Sequence, residues 1–108
     1  LRNMIDQIRA IGSQVVLGNT PPVSTYYDSG RATQASRVRG FNPRQASLAA
    51  SLGIPMALVY ECITRTSSWP TTLFASGSDN HPNDLGYDRV AEEYLRTIRN
   101  AYQEGMLD

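Results

Sequence analysis

The chain has 108 residues, which is enough for one domain of ordinary size but not for two. Its ten Lys and Arg residues balance ten Asp and Glu residues, and this zero net charge argues against nucleic acid or an anionic membrane surface as a partner. With 41% hydrophobic and 19% charged residues, the composition is typical of a folded globular domain rather than of a disordered segment.

The residue types and their pattern argue against a metal site, a cofactor site and a membrane span. One cysteine, Cys62, and one histidine, His81, exclude an internal disulfide and any metal site built from clustered thiolates or imidazoles. No Gly-rich phosphate loop is present, and no apolar run reaches the roughly 18 to 20 residues that a membrane span needs. The chain is therefore expected to work without a cofactor, a metal or a membrane span.

The first part of the chain predicts a helix, a strand and a loop. Apolar residues recur at helical spacing over residues 1–11, which predicts an amphipathic helix that ends at Gly12. The short, β-branched segment 13–19 predicts a buried strand. Residues 20–40 are rich in Pro, Gly, Ser and Thr without a sustained period, and they predict a long loop.

A second helix and strand are predicted after this loop. Asn42 is a candidate N-cap and Pro43 a favourable first helical residue, so a helix is predicted over residues 43–52, up to Gly53. The apolar segment 54–60 predicts a second buried strand.

The last part of the chain predicts a loop and a helix. Residues 61–80 are polar and rich in turn formers, which predicts another long loop. Asn83 or Asp84 can cap a final amphipathic helix that ends near Gly105.

Helices that alternate with apolar strands imply an α/β fold with a parallel sheet covered on both faces. Two strands are fewer than the roughly four to six of an ordinary sheet, so part of the sheet is expected to lie elsewhere. The sequence also begins with Leu1 inside a predicted helix. We therefore expect a piece of a longer protein or a processed chain.

The run of residues 79–87 contains the strongest candidates for chemistry. His81 stands just before a predicted helix cap, and Asp79 lies two residues earlier on a loop that follows a strand. Ligands of open α/β sheets gather at loops that leave the carboxyl ends of strands. An imidazole there can act as a general base, and a nearby carboxylate can fix its tautomer. The alternative is a structural histidine whose ring satisfies a backbone group.

Three segments, in chain order, resemble the SGNH (GDSL-type) hydrolases. They are SQVVLGNTPPV (13–23), FNPRQASLAASLGIPMALVY (41–60) and SDNHPNDLGYDRVAEEYL (78–95). The resemblance implies a three-layer α/β/α fold with a flavodoxin-like parallel sheet, of which residues 1–108 are the C-terminal portion. It also implies that His81, within the His-Pro-Asn motif, is the general base of a serine esterase.

The chain departs from the family pattern at two places. The family's acid usually stands three residues before the histidine, where this chain has Ser78. Either Asp79 takes that role, or a backbone carbonyl holds the ring of His81. The Gly-Asp-Ser type nucleophile motif has no match, and no Gly-x-Ser-x-Gly elbow exists. The catalytic serine is thus expected from an N-terminal segment or from a separate chain.

Three aromatic residues are candidates for substrate binding. Tyr26, Tyr27 and Trp69 lie on the loops that are expected to flank His81, and aromatic faces suit sugar rings and acyl groups. The alternative is that these residues pack the loops against the core.

The predicted function is hydrolysis of an ester, with an acetylated glycan as the favoured substrate. The alternative function is a non-catalytic glycan-binding or structural module on a scaffold that has lost its nucleophile.

Overall fold

The chain begins with helix α1 (Arg2–Ala10) in the computed structural model, which describes residues 1–108. Gly12 follows the helix with a φ of +84°, which confirms the predicted end, because this left-handed conformation favours glycine. Only Ile5 of α1 is buried. The apolar residues Met4 and Ile11 stay 62% and 80% exposed, so much of the apolar side of α1 has no cover within the chain.

Two short parallel strands form the sheet, β1 (Leu17–Gly18) and β2 (Met56–Ala57). Their pairing confirms the predicted parallel arrangement, whereas the predicted strands 13–19 and 54–60 are too long. A strand is defined by backbone partners, and helix α3 (Val59–Thr64) starts two residues after β2 and ends the ladder.

Helix α2 (Ala32–Leu52) is much longer than predicted. It follows a short 3₁₀ turn (Ser29–Arg31), so the loop prediction for 20–40 is wrong over its second half. The predicted helix end is confirmed, since Gly53 caps α2 in the left-handed conformation with a φ of +65°.

The predicted start of α2 is wrong because Asn42 and Pro43 lie inside the helix. Proline has no N–H, so the carbonyl of Arg39 loses its helical donor at this turn. The Asn42 side chain bonds to Thr20 instead of capping a helix. It accepts from the Thr20 amide at 2.9 Å and donates to the Thr20 carbonyl at 3.0 Å. The signal read as a helix start is therefore a tertiary contact between α2 and the loop after β1.

The second half of the chain contains α3, a single helical turn α4 (Trp69–Thr72) and the long helix α5 (Asp84–Gln103). The prediction of one loop over 61–80 is thus wrong where α3 and α4 form. The predicted cap of α5 is confirmed, because the Asn83 side chain accepts from the Gly86 amide at 2.9 Å. None of these helices combines the length and apolar character that crossing a membrane requires.

Two apolar clusters hold the elements together. Leu17 and Met56, opposite each other in the sheet, pack in one cluster with Ile5 of α1 and Ala49 of α2. Successive strand residues point to opposite faces, and Ala57 joins the other cluster. The members of that second cluster come from β2, α3 and the segment after α4, with α5 packed against them: Ala57, Val59, Cys62, Ile63, Leu73 and Phe74, with Trp69, Val90 and Tyr94.

Strand β1 can lie close to α5 because it has a glycine, Gly18, at the point of contact. A Cβ atom on Gly18 would collide with the side chain of Tyr94 of α5. The result is a mixed helix and strand fold with a small parallel sheet. Its strands lead directly into the loops that carry the candidate site residues.

Candidate functional site

The backbone of His81 is fixed by its neighbours. Phe74 and Pro82 form an antiparallel bridge, and the amide of Ala75 donates to the carbonyl of His81 at 2.8 Å. The amide of His81 donates to the hydroxyl of Ser78 at 2.9 Å. Both polar backbone groups of His81 are therefore satisfied, which limits the movement of this residue.

The Asn83 and Gly86 positions of the motif hold α5 against the preceding segment. The backbone N–H of Asn83 donates to the carbonyl of Leu73 at 2.9 Å. Its side-chain nitrogen donates to the carbonyl of Thr72 at 2.9 Å. Gly86 packs so closely that an added Cβ would collide with the carbonyl oxygen of Leu73 and lie 2.9 Å from Pro82. The spacing of these two residues thus sets where α5 begins relative to His81.

The imidazole ring of His81 is free within the chain. His81 is exposed, and its ring forms no hydrogen bond with any other residue. A structural role in which the ring satisfies a backbone group is therefore not what the structure contains. A free imidazole on a fixed backbone can exchange a proton with a group that approaches from outside the chain.

Asp79 fastens the segment of residues 24–28 to the loop before His81. The carboxylate is 2% exposed, and its Oδ1 accepts from the hydroxyl of Ser24 and from the amide of Tyr27, the latter at 3.0 Å. Its Oδ2 accepts from the amide of Asp28 at 2.8 Å. None of these bonds comes from the ring of His81, so the carboxylate is occupied by the segment that it holds.

The charge of Asp79 is favoured by these donors. Burial raises the pKa of Asp79, but hydrogen bonds from Ser24, Tyr27 and Asp28, together with the positive charge of Arg31, outweigh burial. The net effect is a pKa below the ordinary value of 3.8, so Asp79 is ionised at neutral pH.

We expect Asp79→Asn to lower the thermal midpoint of unfolding at neutral pH by several degrees, because an amide cannot accept all the bonds that the carboxylate accepts. A depressed pKa stabilises the fold above the ordinary value of the group and loses this effect as the pH falls through the folded-state pKa. The difference between wild type and Asp79→Asn should therefore be fully present well above pH 3.8 and shrink as the pH falls below this value and through the folded-state pKa. Circular dichroism melts at several pH values measure it.

The matched control is Asp6→Asn, because Asp6 is exposed on α1 and forms no hydrogen bond or ion pair. That variant should melt like the wild type at every pH. A constant difference between wild type and Asp79→Asn over the whole pH range would contradict the ionised, bonded state of Asp79.

Two of the three predicted aromatic residues line one groove. Tyr26 and Trp69 lie along an open cavity of about 350 Å³ together with Ser24, whose hydroxyl bonds to Asp79. Trp69 also packs against Phe74 with 5.4 Å between ring centroids. The structure thus connects this aromatic groove to the loop before His81 through the Ser24 and Asp79 pair.

Tyr27 has a different position from the one expected. Its ring contacts the edge of the Tyr26 ring at a centroid distance of 5.0 Å and does not line the groove. Its amide, rather than its ring, takes part in the site by donating to Asp79. Tyr27 therefore supports the neighbouring tyrosine and the bonded segment.

Ser24 is the residue of this region that sequence reasoning missed. Ser24 is buried and bonded through its hydroxyl and its amide to Asp79, 55 residues away. The local sequence contains no signal for such a distant contact, because a serine after prolines reads as an ordinary turn residue.

Cys62 is buried in the second apolar cluster. Burial and the nearby charge of Glu93 raise the pKa of its thiol, which disfavours the reactive thiolate. No group of three or more His, Cys, Asp or Glu side chains is arranged to hold a metal ion.

The fold is similar to that of a solved structure, a member of the lipolytic protein G-D-S-L family from Veillonella parvula DSM 2008. The TM-score is 0.68 at 22% sequence identity, and the similarity covers 88% of this chain and 50% of that one. At this identity the comparison shows a shared fold, and this chain spans about half the length of the relative. No family model and no curated protein matches the chain.

Proposed function

We propose that residues 1–108 are the C-terminal portion of an SGNH-type serine esterase domain with a three-layer α/β/α architecture. The shared fold with a G-D-S-L family member supports this proposal, and so does the coverage of about half of that chain. The N-terminal portion, as a preceding segment or a separate chain, carries the serine nucleophile.

The exposed surface also supports a complementary portion. β1 pairs only with β2, so its other edge has no strand partner. Leu1, Met4, Ile8 and Ile11 share one side of α1 by their helical spacing, and all four are exposed. Unpaired strand edges and contiguous apolar surfaces are features that proteins normally cover.

In this proposal His81 is the general base, and the observation that carries it is the free ring on a fixed backbone. The serine hydroxyl attacks the ester carbonyl while His81 accepts its proton. His81 then donates the proton to the leaving alcohol, which leaves an acyl-enzyme. Water, deprotonated by the same imidazole, hydrolyses the acyl-enzyme and returns the serine.

Asp79 is the proposed partner of His81. In the arrangement described above it acts as a positioning residue, because its carboxylate holds residues 24–28 beside the loop that carries His81. The ring of His81 donates no bond to Asp79 here, although Oδ2 accepts only from the Asp28 amide and retains a second acceptor site. A shift in the pH profile of kcat/KM in Asp79→Asn would identify an electrostatic contribution to His81.

The substrate class that we propose is an O-acetylated glycan. The aromatic groove at Tyr26 and Trp69 is open rather than a closed tunnel, and aromatic faces pack well against sugar rings. Ser24 and Asp79 connect this groove to the His81 loop.

Fluorophosphonate labelling of the complete protein tests the esterase function. We expect the wild type to be labelled on one serine and His81→Ala to lose labelling while its circular dichroism spectrum is unchanged. Ser76→Ala is the matched control, because Ser76 lies on the same loop, is exposed and forms no hydrogen bond. No labelled serine in a folded complete protein would refute the esterase and favour the non-catalytic glycan-binding module.

A further inference from the structure

A second cavity lies at the carboxyl ends of the two strands. It has a volume of about 330 Å³ and opens between α2 and the start of α3. Its walls include Asn19, which follows β1, and Leu58, which follows β2. Cavities of roughly 300 Å³ and larger at this edge of a parallel sheet commonly bind small molecules.

One wall of this cavity is held rigid by a buried amide. Asn19 is 5% exposed, donates to the carboxylate of Glu61 at 2.8 Å and accepts from the amide of Tyr60 at 2.8 Å. The carboxylate of Glu61 accepts no other hydrogen bond and is otherwise free to accept from a ligand. The backbone of Tyr60 and the carboxylate of Glu61 are thus held in place on the cavity wall.

The facing charge in the cavity is Arg39 of α2. Its guanidinium forms no hydrogen bond and no ion pair within the chain, not even with Glu61. Apolar lining comes from Ala46, Met56 and Leu58. The cavity therefore offers a donor group, an acceptor group and an apolar surface.

A sugar unit fits this combination of groups. Its hydroxyl oxygens accept from a guanidinium, its hydroxyl hydrogens donate to a carboxylate, and its C–H face packs on apolar and aromatic side chains. A cavity with a separate cation and anion could also hold a zwitterion, such as a small peptide. The choice between the two follows from what lies next to the cavity.

Arg39 also lines the aromatic groove of Tyr26 and Trp69, so the cavity and the groove meet at this residue. We propose that they form one carbohydrate cleft with two subsites. The aromatic groove binds the sugar unit nearest to His81, and the cavity at Tyr60 and Glu61 binds a neighbouring unit of the same chain. This inference rests on the proposed function for the position of the reacting ester.

Binding can be measured without hydrolysis. We would titrate the ¹⁵N-labelled complete protein with chitotetraose and with cellotetraose, neither of which contains an ester, and follow amide and indole shifts. We expect one of the two sugars to shift the amides of Tyr60 and Glu61 and the indole of Trp69 with one common Kd. Arg39→Ala should weaken this binding by roughly tenfold, because it removes a charged donor from both subsites.

Arg44→Ala is the matched control, because Arg44 lies on the same helix, is exposed and lines neither cavity. It should bind as the wild type does. Glu61→Gln retains an acceptor for Asn19 and for a sugar hydroxyl, so it should cost roughly threefold or less with sugar, whereas it should abolish binding of a zwitterion.

Four outcomes would overturn the two-subsite cleft. They are shifts confined to the Trp69 groove, unchanged affinity in Arg39→Ala, binding of glycylglycine in place of either sugar, and no shift with either sugar in the folded complete protein. These results are distinguishable from a failure of the esterase function, because His81→Ala should bind the sugar normally whatever the labelling experiment gives.

Discussion

If the proposed esterase function is correct, replacement of His81 with alanine in the complete protein is expected to lower kcat/KM for an aryl acetate by roughly 10³-fold or more. The reason is that the proposed mechanism assigns the transfer of the serine proton to this imidazole, which belongs to the one histidine of the chain. Because the ring is exposed and forms no hydrogen bond within the chain, its loss should leave the free energy of unfolding within about 0.5 kcal/mol of the wild type.

This pairing of a large kinetic effect with a small stability effect separates catalysis from structure. Free imidazole added to His81→Ala should restore part of the activity, since the vacated position faces solvent. Ser76→Ala, on the same loop, should retain the activity of the wild type. A large fall in the unfolding midpoint of His81→Ala, or unchanged kcat/KM, would contradict the role of His81 as base.

Replacement of Gly86 with alanine should have the largest effect on stability. The added methyl group would collide with the carbonyl oxygen of Leu73 and lie 2.9 Å from Pro82. Backbone cannot move aside as a flexible side chain can, so we expect the free energy of unfolding to fall by about 3 kcal/mol. Urea unfolding followed by circular dichroism measures the change.

Gly86→Ala should also impair the proposed esterase activity of the complete protein. The segment that it displaces, Leu73 to Pro82, forms the bridge that fixes the backbone of His81. A misplaced base weakens proton transfer even when its ring is intact. Activity and stability should therefore fall together in this variant, in contrast to His81→Ala.

Gly40→Ala provides the matched control for the glycine experiment. Gly40 lies inside α2, and a Cβ there meets no atom within 4 Å. Alanine removes conformational freedom from the unfolded chain, so this variant should gain about 0.5 to 1 kcal/mol of stability. Equal stability changes for Gly86→Ala and Gly40→Ala would show that the contact with Leu73 is not tight.

Much of the fold could be predicted from local pattern. Helix ends at Gly12 and Gly53 follow from the need for a left-handed residue after the last turn, and both are confirmed. The cap at Asn83 is confirmed because it depends on a side chain that bonds three residues ahead. The order of apolar segments was sufficient to indicate a parallel pair of strands.

The wrong predictions concern residues whose local pattern suggests one role but whose partners in the structure are distant in the sequence. Asn42 and Pro43 resemble a helix start, but Asn42 bonds to Thr20, and α2 continues through the proline. The helix can pass this residue because packing at Ala35, Val38 and Ala49 stabilises both halves, so one missing backbone bond is tolerated.

In the candidate site, too, the residue with a local signal was predictable and the contacts between distant residues were not. His81 was identifiable because it is the only histidine and stands within a recognisable His-Pro-Asn segment before a helix cap. The use of the Asp79 carboxylate was not predictable, because its partners, Ser24, Tyr27 and Asp28, are more than 50 residues away. Arg39 likewise has no local sequence signal of a binding site, yet it lines both cavities.

The sequence by itself determined the helix ends at Gly12 and Gly53, the cap at Asn83 and the position of the candidate base, because each depends on residues within one or two turns. The order of the apolar segments also indicated their parallel pairing. Only the tertiary structure decided which groups surround that base. In that structure Asp79 bonds to Ser24, and the ring of His81 has no hydrogen bond within the chain. Tyr26, Trp69 and Arg39 line one groove. Such contacts depend on how distant loops pack over a shared sheet edge, which no local pattern encodes.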